Sequence, residues 1–485
     1  MNCLQNFIDG QYIANSTGEK LSVVNPATGE IIYYVELLDD ILKESAIRSA
    51  KDGFLVWSSM SDAERGRILN KAAQLIRNRI KDLAMVEVCD TGKPLQEALS
   101  VDIISGAEAL EFFGGLAVSL RGDYQNIGED FYYTRREPLG ICAGIGAWNY
   151  PFQIACWKSA PALAAGNSML FKPSEETPLG ALKLAEIFIE AGLPKGVFNV
   201  VLGGAGVGVW LSKEHQIKKL SFTGQVETGK TVMKNSSKSL KKLTMELGGK
   251  SPLIVFSDAD IKLAVSGAML GNFYTQGEVC THCTRVFVHR QIYSTFEKEL
   301  LERIKNNIVI GDPRNLKTNF GAMISKKHYE KVLEYIEIGK SEGAKLLCGG
   351  YSVKIPGLLK GFFIAPTVFS ECTDDMTIVK DEIFGPVMSL MLFDYEDEVI
   401  LKANSTQFGL GSGIFTSNIS RAHRVAHKIH SGICWINSYG NSPVEMPVGG
   451  YKDSGIGREN GIETLNEYTQ VKSIYVGIKN IESPY

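Results

Sequence analysis

The sequence lacks any apolar run approaching the length of a membrane-spanning helix, and it has no block of basic residues. Lysine and arginine number 51 against 54 acidic residues, which gives a net charge of −3. This balance offers nothing to a phosphodiester backbone or an anionic lipid surface, so we expect neither nucleic acid nor membrane as a partner. The first residues, MNCLQNFIDGQYI, show no export or organelle signal. We therefore expect a cytoplasmic protein that binds small molecules.

Cysteine is present, but not in the pattern of a disulfide-stabilised protein. The nine cysteines are an odd number spread over 485 residues, which argues against a disulfide framework. We expect most of them to be small, buried, apolar residues.

The order of apolar segments predicts an α/β fold. Ser61 and Glu64 form a capping-box pattern ahead of apolar positions at helical spacing, which predicts a helix over residues 62–79. From about residue 139, short apolar runs alternate with helical segments, as in a parallel, Rossmann-like nucleotide-binding sheet. These runs are LGICAGIGAW, SMLFK, VFNVVL, KKLSFT and KLTMEL.

A second alternating series predicts a second α/β domain. It consists of SPLIVF, TRVFVH, IAPTVF, MSLMLF and GICWIN. FYYTRREP and the late stretch VKSIYVGI look like strands outside both series, and we expect them to pair in a small β element for oligomerisation. The expected domains are a nucleotide-binding domain (1–120 and 139–247), the second α/β domain (248–453) and the oligomerisation element (121–138 and 469–485).

Residues 224–231, GQVETGKT, follow one of the predicted strands and match the phosphate-binding pattern G-x-x-x-x-G-K-[ST]. Such a loop directs backbone N–H groups and a helix N-terminus at phosphate oxygens, and it would serve a dinucleotide pyrophosphate equally well. The pattern therefore indicates phosphate binding and leaves a P-loop nucleotide hydrolase open.

The stretch GEVCTHCTRVFVHR places Cys280 and Cys283 three positions apart. A zinc site needs four ligands, and the remaining candidates, His423, His427 and His430, lie far along the chain in a helical stretch that we expect to be a solvated or packed face. A redox C-x-x-C usually opens a helix, whereas a predicted strand follows here. Both arguments favour Cys280 as a single reactive thiol.

Seven short motifs then occur in one order across nearly the whole chain. They are WNYP (148–151), FKPSEETP (171–178), FTGQVETG (222–229), MELGGKSP (245–252), QGEVCT (276–281), DEIFGPV (381–387) and GIGRENG (455–461). Together they resemble the aldehyde dehydrogenase superfamily, and TRREPLG and SPVEMPVGGYKDSGIGRENG are most similar to its bacterial betaine aldehyde dehydrogenases. The resemblance implies an enzyme of that fold, in which the second α/β domain is catalytic.

The resemblance also implies catalytic roles. Cys280 matches the nucleophile, whose thiolate adds to an aldehyde to form a thiohemiacetal. The Asn149 amide and the Cys280 backbone N–H match the oxyanion hole. Glu246 matches the general base for hydrolysis of the thioester that follows, and Lys158 and Glu459 match a proton relay to that base.

The implied hydride acceptor is NAD, with NADP as the alternative. Lys172 and Glu175 match residues that hold the adenosine ribose, where a carboxylate repels a 2′-phosphate and favours NAD. Glu382 and Phe384 match a clamp on the nicotinamide ribose. The other residues expected to bind the dinucleotide are Gly146, Ala147, Trp148, Pro173, Ser174, Gly204, Gly224 and Gly229.

Four aromatic residues match positions that bind a trimethylammonium group in betaine aldehyde dehydrogenases: Tyr150, Trp157, Tyr274 and Tyr439. Such a group has no hydrogen-bond donor, so aromatic faces bind it by cation–π attraction, worth about 0.5–2 kcal/mol per contact. The expected reaction is NAD-dependent oxidation of betaine aldehyde to glycine betaine, for osmoprotection. The alternatives are a dehydrogenase for aminoaldehydes or other aliphatic aldehydes, a P-loop nucleotide hydrolase, and a catalytically silent scaffold of the same fold.

The chain departs from the family pattern at Gln225 and beside the nucleophile, where His282 and Cys283 replace the frequent Asn-Gly. Cys283 is either a buried filler or the partner of Cys280 in a reversible disulfide that protects the nucleophile from over-oxidation. Asp90 matches a place near which related enzymes hold potassium. The resemblance also implies a homo-oligomer, either a dimer or a tetramer.

Overall fold

The computed structural model describes residues 3–481 and 483–485. The helices, in chain order, are α1 (Asp40–Ser59), α2 (Asp62–Asn78), α3 (Ile80–Thr91), α4 (Leu95–Glu97), α5 (Ile103–Leu116), α6 (Pro151–Ala164), α7 (Leu179–Ala191), α8 (Ala205–Lys213), α9 (Val226–Ser236), α10 (Ile261–Phe273), α11 (Tyr293–Asn307), α12 (Lys326–Ser341), α13 (Thr377–Lys380), α14 (Glu396–Asn404), α15 (Ile419–Ala426) and α16 (Thr464–Glu467). A π-helical turn, Ala98–Asp102, joins α4 to α5.

The predicted helix over residues 62–79 is confirmed as α2. The Ser61 hydroxyl accepts from the Glu64 backbone N–H, and the Glu64 carboxylate accepts from Ser61 in return, so the capping box forms. The helix α7 ends at Gly192, which takes a left-handed conformation with φ 102° and closes the last turn.

An eight-stranded sheet forms the first α/β layer. Its strands, in spatial order, are β24 (Gly455–Ile456), β12 (Lys242–Glu246), β11 (Ile217–Thr223), β8 (Ile141–Ile145), β9 (Ser168–Lys172), β10 (Phe198–Val200), β2 (Asn6–Ile8) and β3 (Gln11–Ile13). Pairing is parallel from β12 to β10 and antiparallel at both margins. This is the predicted Rossmann-like sheet.

A seven-stranded sheet forms the second α/β layer. Its strands, in spatial order, are β15 (Lys345–Cys348), β18 (Thr367–Ser370), β19 (Val387–Phe393), β14 (Arg285–His289), β13 (Pro252–Val255), β21 (Gly413–Phe415) and β22 (Trp435–Ile436). Every pairing except that of β15 is parallel. Each run of the second alternating series contributes to this sheet, although GICWIN supplies only a two-residue strand.

Smaller sheets complete the fold. The remaining strands are β1 (Cys3–Leu4), β4 (Lys20–Asn25), β5 (Glu30–Glu36), β6 (Tyr124–Ile127), β7 (Asp130–Pro138), β16 (Ser352–Ile355), β17 (Leu358–Ile364), β20 (Phe408–Gly409), β23 (Tyr451–Lys452) and β25 (Thr469–Val476). The two stretches expected to pair outside the main sheets do so: β25 lies antiparallel to β7, from Thr469 opposite Pro138 to Val476 opposite Phe131. The predicted domain boundaries stay a prediction.

Fully buried aromatic side chains anchor the helices on the first sheet. Trp57 of α1, Phe113 of α5, Phe152 of α6 and Phe188 of α7 are each at most 1% exposed. Burial of such a side chain contributes about 1.5–3 kcal/mol, so these contacts hold the helices in place around the carboxyl ends of the strands. Among the described residues, no helix has the length and apolar character needed to cross a membrane.

Candidate active site

A cavity of about 1240 Å³ opens where β8, β11 and β12 end. In an open parallel sheet, ligands bind in the crevice outside these carboxyl ends. The cavity brings together predicted residues from distant parts of the chain: Ala147, Trp148, Asn149, Tyr150, Trp157, Gly224, Glu246, Tyr274, Cys280, Glu382, Phe384, Tyr439 and Glu459. One cavity therefore holds candidates for nucleophile, base, cofactor contacts and substrate contacts.

The predicted adenosine contacts form a group beside this cavity. Lys172 Nζ lies 3.0 Å from Glu175 Oε2 and donates to the Pro173 carbonyl at 2.9 Å. A Cβ on Gly204 would lie 3.8 Å from Glu175 Oε1, so that turn faces the same carboxylate. Ser174 is buried in the same turn. Glu176, which follows Glu175, lines the cavity itself, so this group of residues lies at the margin of the cavity.

Backbone contacts hold the nearby β8 turn. The Gly146 N–H donates to the Lys172 carbonyl at 2.9 Å, which connects the turn before Trp148 to the residues predicted to contact adenosine. A Cβ on Gly146 would lie 2.9 Å from the Phe171 ring, so the close approach requires glycine.

The segment that matches a P-loop does not form one. Helix α9 begins at Val226, two residues after Gly224, so Gly229 lies within the helix. A Cβ on Gly229 would lie 2.7 Å from the Leu247 side chain, which shows that this glycine serves helix packing rather than the cavity wall. Lys230 pairs instead with Glu227 at 3.0 Å. Only Gly224 and the first residues of α9 are placed to face phosphate.

Cys280 lies half-buried on the cavity wall. Burial, with smaller contributions from the charges of Glu246 and Glu382, raises the pKa of its thiol to about 12. The resting thiol is therefore protonated at neutral pH, and a base or a nearby positive charge must favour the thiolate.

Cys283 lies behind the wall rather than on it. It is fully buried, and its Sγ donates to the Gly271 carbonyl of α10 at 3.4 Å. Both cysteines are free. This packing supports the interpretation of Cys283 as a buried filler. The disulfide with Cys280 stays a hypothesis.

Asn149 joins the end of β8 to the nucleophile segment. Its Nδ2 donates to the Glu278 carbonyl at 3.0 Å, two residues before Cys280. An amide nitrogen has two N–H donors, so the second can face an oxyanion formed beside Cys280.

Glu246 ends β12 on the cavity wall, and its buried Oε1 has no hydrogen-bond partner among the described residues. Burial first, and then the charge of Glu459, raise the pKa of this carboxyl well above its usual range, while Lys158 opposes them. A carboxylate that is desolvated in this way is a stronger base once it has lost its proton.

A buried network lies next to Glu246. Lys158 forms an ion pair with Glu459 and donates to Ser221 Oγ at 2.8 Å, and Ser221 donates to Glu459 Oε1 at 2.7 Å. The structure thus brings the predicted relay pair together and adds Ser221, which sequence analysis did not single out. Removal of one member would leave an uncompensated buried charge.

Just after Glu246, glycine at position 248 allows the Glu382 carboxylate to lie against the backbone. A Cβ on Gly248 would lie 1.9 Å from Glu382 Oε2, and the Gly249 N–H donates to Glu382 Oε1 at 3.1 Å. Burial raises the pKa of Glu382 to about 7.

An aromatic group continues this wall. The Phe384 ring lies 5.2 Å from that of Trp148, and His328 Nε2 contacts the Phe384 carbonyl at 2.7 Å. Phe384 has φ 60°, a left-handed conformation that this contact helps to hold. Thr223 Oγ1, also on the wall, is buried and has no hydrogen-bond partner in the part of the chain that the structure describes. Three features of this wall fit a dinucleotide: the backbone at Gly248, which has no Cβ, the unpartnered hydroxyl of Thr223, and the N-terminus of α9.

The four predicted aromatic residues line one part of the cavity. Trp157 is anchored by its Nε1, which donates to Ser105 Oγ at 3.1 Å, and Tyr439 donates to the Thr281 carbonyl at 2.5 Å. The Tyr150 hydroxyl lies 2.8 Å from Thr275 Oγ1, and Tyr274 is the neighbouring residue. The polar atoms of Tyr150, Trp157 and Tyr439 are thus bonded to protein groups, and all four side chains lie on the cavity wall.

Asp90 is buried beside the first turn of α7. Its carboxylate accepts hydrogen bonds from the Tyr33 hydroxyl and, at 3.3 Å, from the Leu179 backbone N–H. Burial raises the pKa of Asp90 to about 7. Potassium binding near Asp90 stays a prediction.

No group of three or more metal-ligating side chains occurs among residues 3–481 and 483–485. His423, His427 and His430 are exposed at and beyond the end of α15, in agreement with the predicted solvated face.

Comparisons with known proteins agree with this geometry. The model of the aldehyde dehydrogenase family matches residues 12–474. A protein of Vibrio vulnificus strain YJ016 named betaine aldehyde dehydrogenase is 59% identical over 486 residues, which cover 100% of both chains.

Solved structures match equally completely. An NAD⁺ complex of aldehyde dehydrogenase from Bacillus cereus has a TM-score of 0.96 and 41% identity, with 99% of this chain and 97% of that chain covered. An NAD-dependent aldehyde dehydrogenase from Sinorhizobium meliloti has a TM-score of 0.97 and 36% identity, with 100% and 96% covered. The chain therefore belongs to the aldehyde dehydrogenase family.

Proposed function

We propose that this protein oxidises betaine aldehyde to glycine betaine with NAD⁺ as hydride acceptor. The observation that carries the proposal is the placement of Tyr150, Trp157, Tyr274 and Tyr439 on the cavity that contains Cys280. An aromatic lining binds a quaternary ammonium group without any hydrogen bond to it. The name of the Vibrio vulnificus relative supports the same substrate.

Several wall residues would hold the cofactor. Trp148, Thr223, Glu382 and Phe384 would contact the nicotinamide half, and the group around Lys172 and Glu175 would bind the adenosine ribose. A carboxylate at the ribose repels a 2′-phosphate, which favours NAD over NADP. When bound there, NAD⁺ supplies the acceptor for the hydride that leaves the substrate.

The protein's own groups perform the covalent steps. Cys280 loses its proton and its Sγ adds to the carbonyl carbon, which forms a thiohemiacetal whose oxyanion accepts from Asn149 Nδ2 and the Cys280 backbone N–H. After hydride loss the acyl group remains on Sγ as a thioester. Glu246 then takes a proton from water, whose oxygen attacks the thioester carbonyl; the C–S bond breaks, and the acid and the Cys280 thiolate are released. The Lys158–Ser221–Glu459 network returns that proton toward solvent.

We also propose a cytoplasmic location and a homo-oligomeric state. A mechanism that depends on a free thiol, in a chain with nine free cysteines, suits a reducing compartment. The sheet of β6, β7 and β25 exposes Tyr124, Val471 and Tyr475, each more than half exposed, at edge strands that a second copy could cover.

A substrate panel tests the proposed reaction. NADH formation should be fastest with betaine aldehyde and slower with an aminoaldehyde or propanal. NADP⁺ should be the weaker acceptor, and Cys280→Ala should have no activity.

Trp157→Ala should raise KM for betaine aldehyde about tenfold, the equivalent of a cation–π contact of about 1.4 kcal/mol, and leave KM for propanal nearly unchanged. An aminoaldehyde preferred over betaine aldehyde, or equal effects on both KM values, would overturn the assignment.

A further inference from the structure

A group of buried charges lies directly behind Tyr150, outside the site as the sequence predicted it. Lys93, Glu87 and Asp102 are at most 1% exposed, and Glu97 is 7% exposed. Lys93 forms an ion pair with Asp102, and its Nζ lies 3.9 Å from Glu87 Oε1 and 3.8 Å from the centre of the Tyr150 ring. Buried carboxylates are retained only where they have specific partners.

Glu97 has partners of a different kind from the other two acids. Its hydrogen bonds go to Thr275, whose backbone N–H donates to Oε2 at 3.1 Å and to Oε1 at 3.3 Å, and whose hydroxyl donates to Oε2 at 3.0 Å. Lys93 instead is close to Asp102 and Glu87. Glu97 is therefore placed to hold the segment that leads to the nucleophile.

That segment has a conformation that needs support. Thr275 has φ 47° and ψ 44°, and Gln276 has φ 52° and ψ 22°. Left-handed geometry is unfavourable for residues with a side chain, and most of all for a β-branched one such as Thr275. Cys280 follows only four residues after Gln276, so an error in this bend would displace the sulfur.

Other contacts also hold this segment. The Glu278 N–H donates to the Thr275 carbonyl at 2.8 Å, the Gly321 N–H donates to Gln276 Oε1 at 3.1 Å, and the Ile324 N–H donates to Glu278 Oε1 at 3.0 Å. Asn149 Nδ2 donates to the Glu278 carbonyl. Glu97 adds the bonds to the Thr275 N–H and hydroxyl, where the left-handed turn begins.

The same contact reaches the substrate wall. Because the Thr275 hydroxyl donates to Glu97, the Tyr150 hydroxyl donates to Thr275 Oγ1, at 2.8 Å. The chain of bonds from Tyr150 through Thr275 to Glu97 fixes the ring relative to the nucleophile segment.

We propose that Glu97 is a positioning residue, which holds the left-handed turn at Thr275 and Gln276 and thereby sets both Cys280 and Tyr150 for reaction. The proposal rests on the proposed function for its substrate readout. The expected effect of Glu97 on the reactivity of the Cys280 thiol can be measured without any substrate.

Glu97→Ala removes the acceptors for Thr275 and should lower kcat by about ten- to a hundredfold, the cost of a misplacement on the scale of 1 Å. Glu97→Gln keeps one oxygen for the Thr275 N–H, so kcat should recover to within about fivefold of the unmodified protein. Released from its tether, the Cys280 thiol of Glu97→Ala should react with iodoacetamide several-fold faster while turnover falls.

Glu87→Gln is the matched control. It alters another carboxyl of this buried group, the one beside Lys93, and leaves the bonds between Glu97 and Thr275 in place. It should leave the alkylation rate of Cys280 within about twofold, even if it lowers the melting temperature as much as Glu97→Ala. Thr275→Val separates the two effects. It keeps the backbone bond to Glu97 and removes the hydroxyl, so it should raise KM for the cationic aldehyde with little change in alkylation.

Equal effects of Glu87→Gln and Glu97→Ala on turnover and on alkylation would overturn the proposal in favour of general stabilisation, and so would failure of Glu97→Gln to restore kcat. Failure of the proposed substrate would instead appear in the unmodified protein, as absent activity with betaine aldehyde, while the alkylation differences would persist.

Discussion

At the scale of single residues, the site depends on carboxyl groups whose pKa values are raised by burial. Burial raises the pKa of Glu97 to about 8 and of Glu382 to about 7, and it raises the pKa of Glu246 well above the usual range. A general base must lose its proton before it can act. The neighbours that stabilise or oppose its charge therefore set the pH range in which the enzyme works.

Glu459→Gln should move the acid limb of the pH–kcat profile to lower pH. The charge of Glu459 raises the pKa of Glu246, and its loss also frees Lys158, whose positive charge lowers that pKa. Glu246 then ionises at lower pH, so the rise of kcat with pH begins earlier. The measurement is kcat across a pH series, with Glu246→Gln as the control that should abolish the limb. An unmoved limb, or one displaced to higher pH, would show that Glu459 does not govern this base.

Single residues also show where sequence analysis reaches its limit. Cys280, Asn149 and Glu246 stand in motifs whose residue types and order are specific, and all three lie on one cavity. Ser221, His328 and Glu97 stand in no such pattern. A buried polar residue matters through partners that the fold brings from distant segments, and no local periodicity or composition records that pairing.

At the scale of elements, apolar runs predicted strand and helix existence well because hydrophobic periodicity reflects the burial of one face. The motif match at residues 224–231 could not locate the start of the helix. The pattern G-x-x-x-x-G-K-[ST] counts positions, but function depends on where the helix begins, and α9 begins at Val226. Gly229 thus became a packing residue against Leu247. The π-helical turn at Ala98–Asp102 was also not predicted, because its composition resembles that of an ordinary helix.

The connection between β12 and β13 gives a prediction at this scale. Gly248→Ala places a Cβ where Glu382 Oε2 now lies, so the carboxylate must move away from the Gly249 N–H. The displaced carboxylate would also lose its proposed contact with the nicotinamide half of NAD⁺. Loss of one such charge-assisted contact costs about 1.5–3 kcal/mol, which corresponds to roughly a ten- to a hundredfold rise in KM for NAD⁺. Gly115→Ala in α5 is the control, because no atom of the described residues lies within 4 Å of its added Cβ. Equal KM values for the two variants would exclude a role of Glu382 in cofactor binding.

At the scale of the whole molecule, the site exists only because elements from both main sheets meet. Glu246 comes from the end of β12 in the first sheet, whereas Cys280 precedes β14 in the second. The three-stranded sheet of β6, β7 and β25 lies outside both main sheets, and only a short segment that includes α16 separates Glu459 from β25. An assembly through the edge strands of this sheet would therefore act close to the segment that contains Glu459.

Charged substitutions on the two edge strands of that sheet, β25 and β6, test the assembly. Val471 is 57% exposed on β25 and Tyr124 is 63% exposed on β6, and exposed apolar residues on edge strands favour pairing with another chain. Val471→Lys combined with Tyr124→Lys should shift the mass in light scattering toward the monomer, because like charges would face each other across the contact. Leu240→Lys, a change of the same kind at a 93% exposed turn, should leave the mass unchanged. A monomeric unmodified protein, or a variant that keeps its full mass, would rule out these edge strands as the interface. If kcat falls together with the mass, the neighbouring copy supports the relay segment around Glu459 as well as the edge.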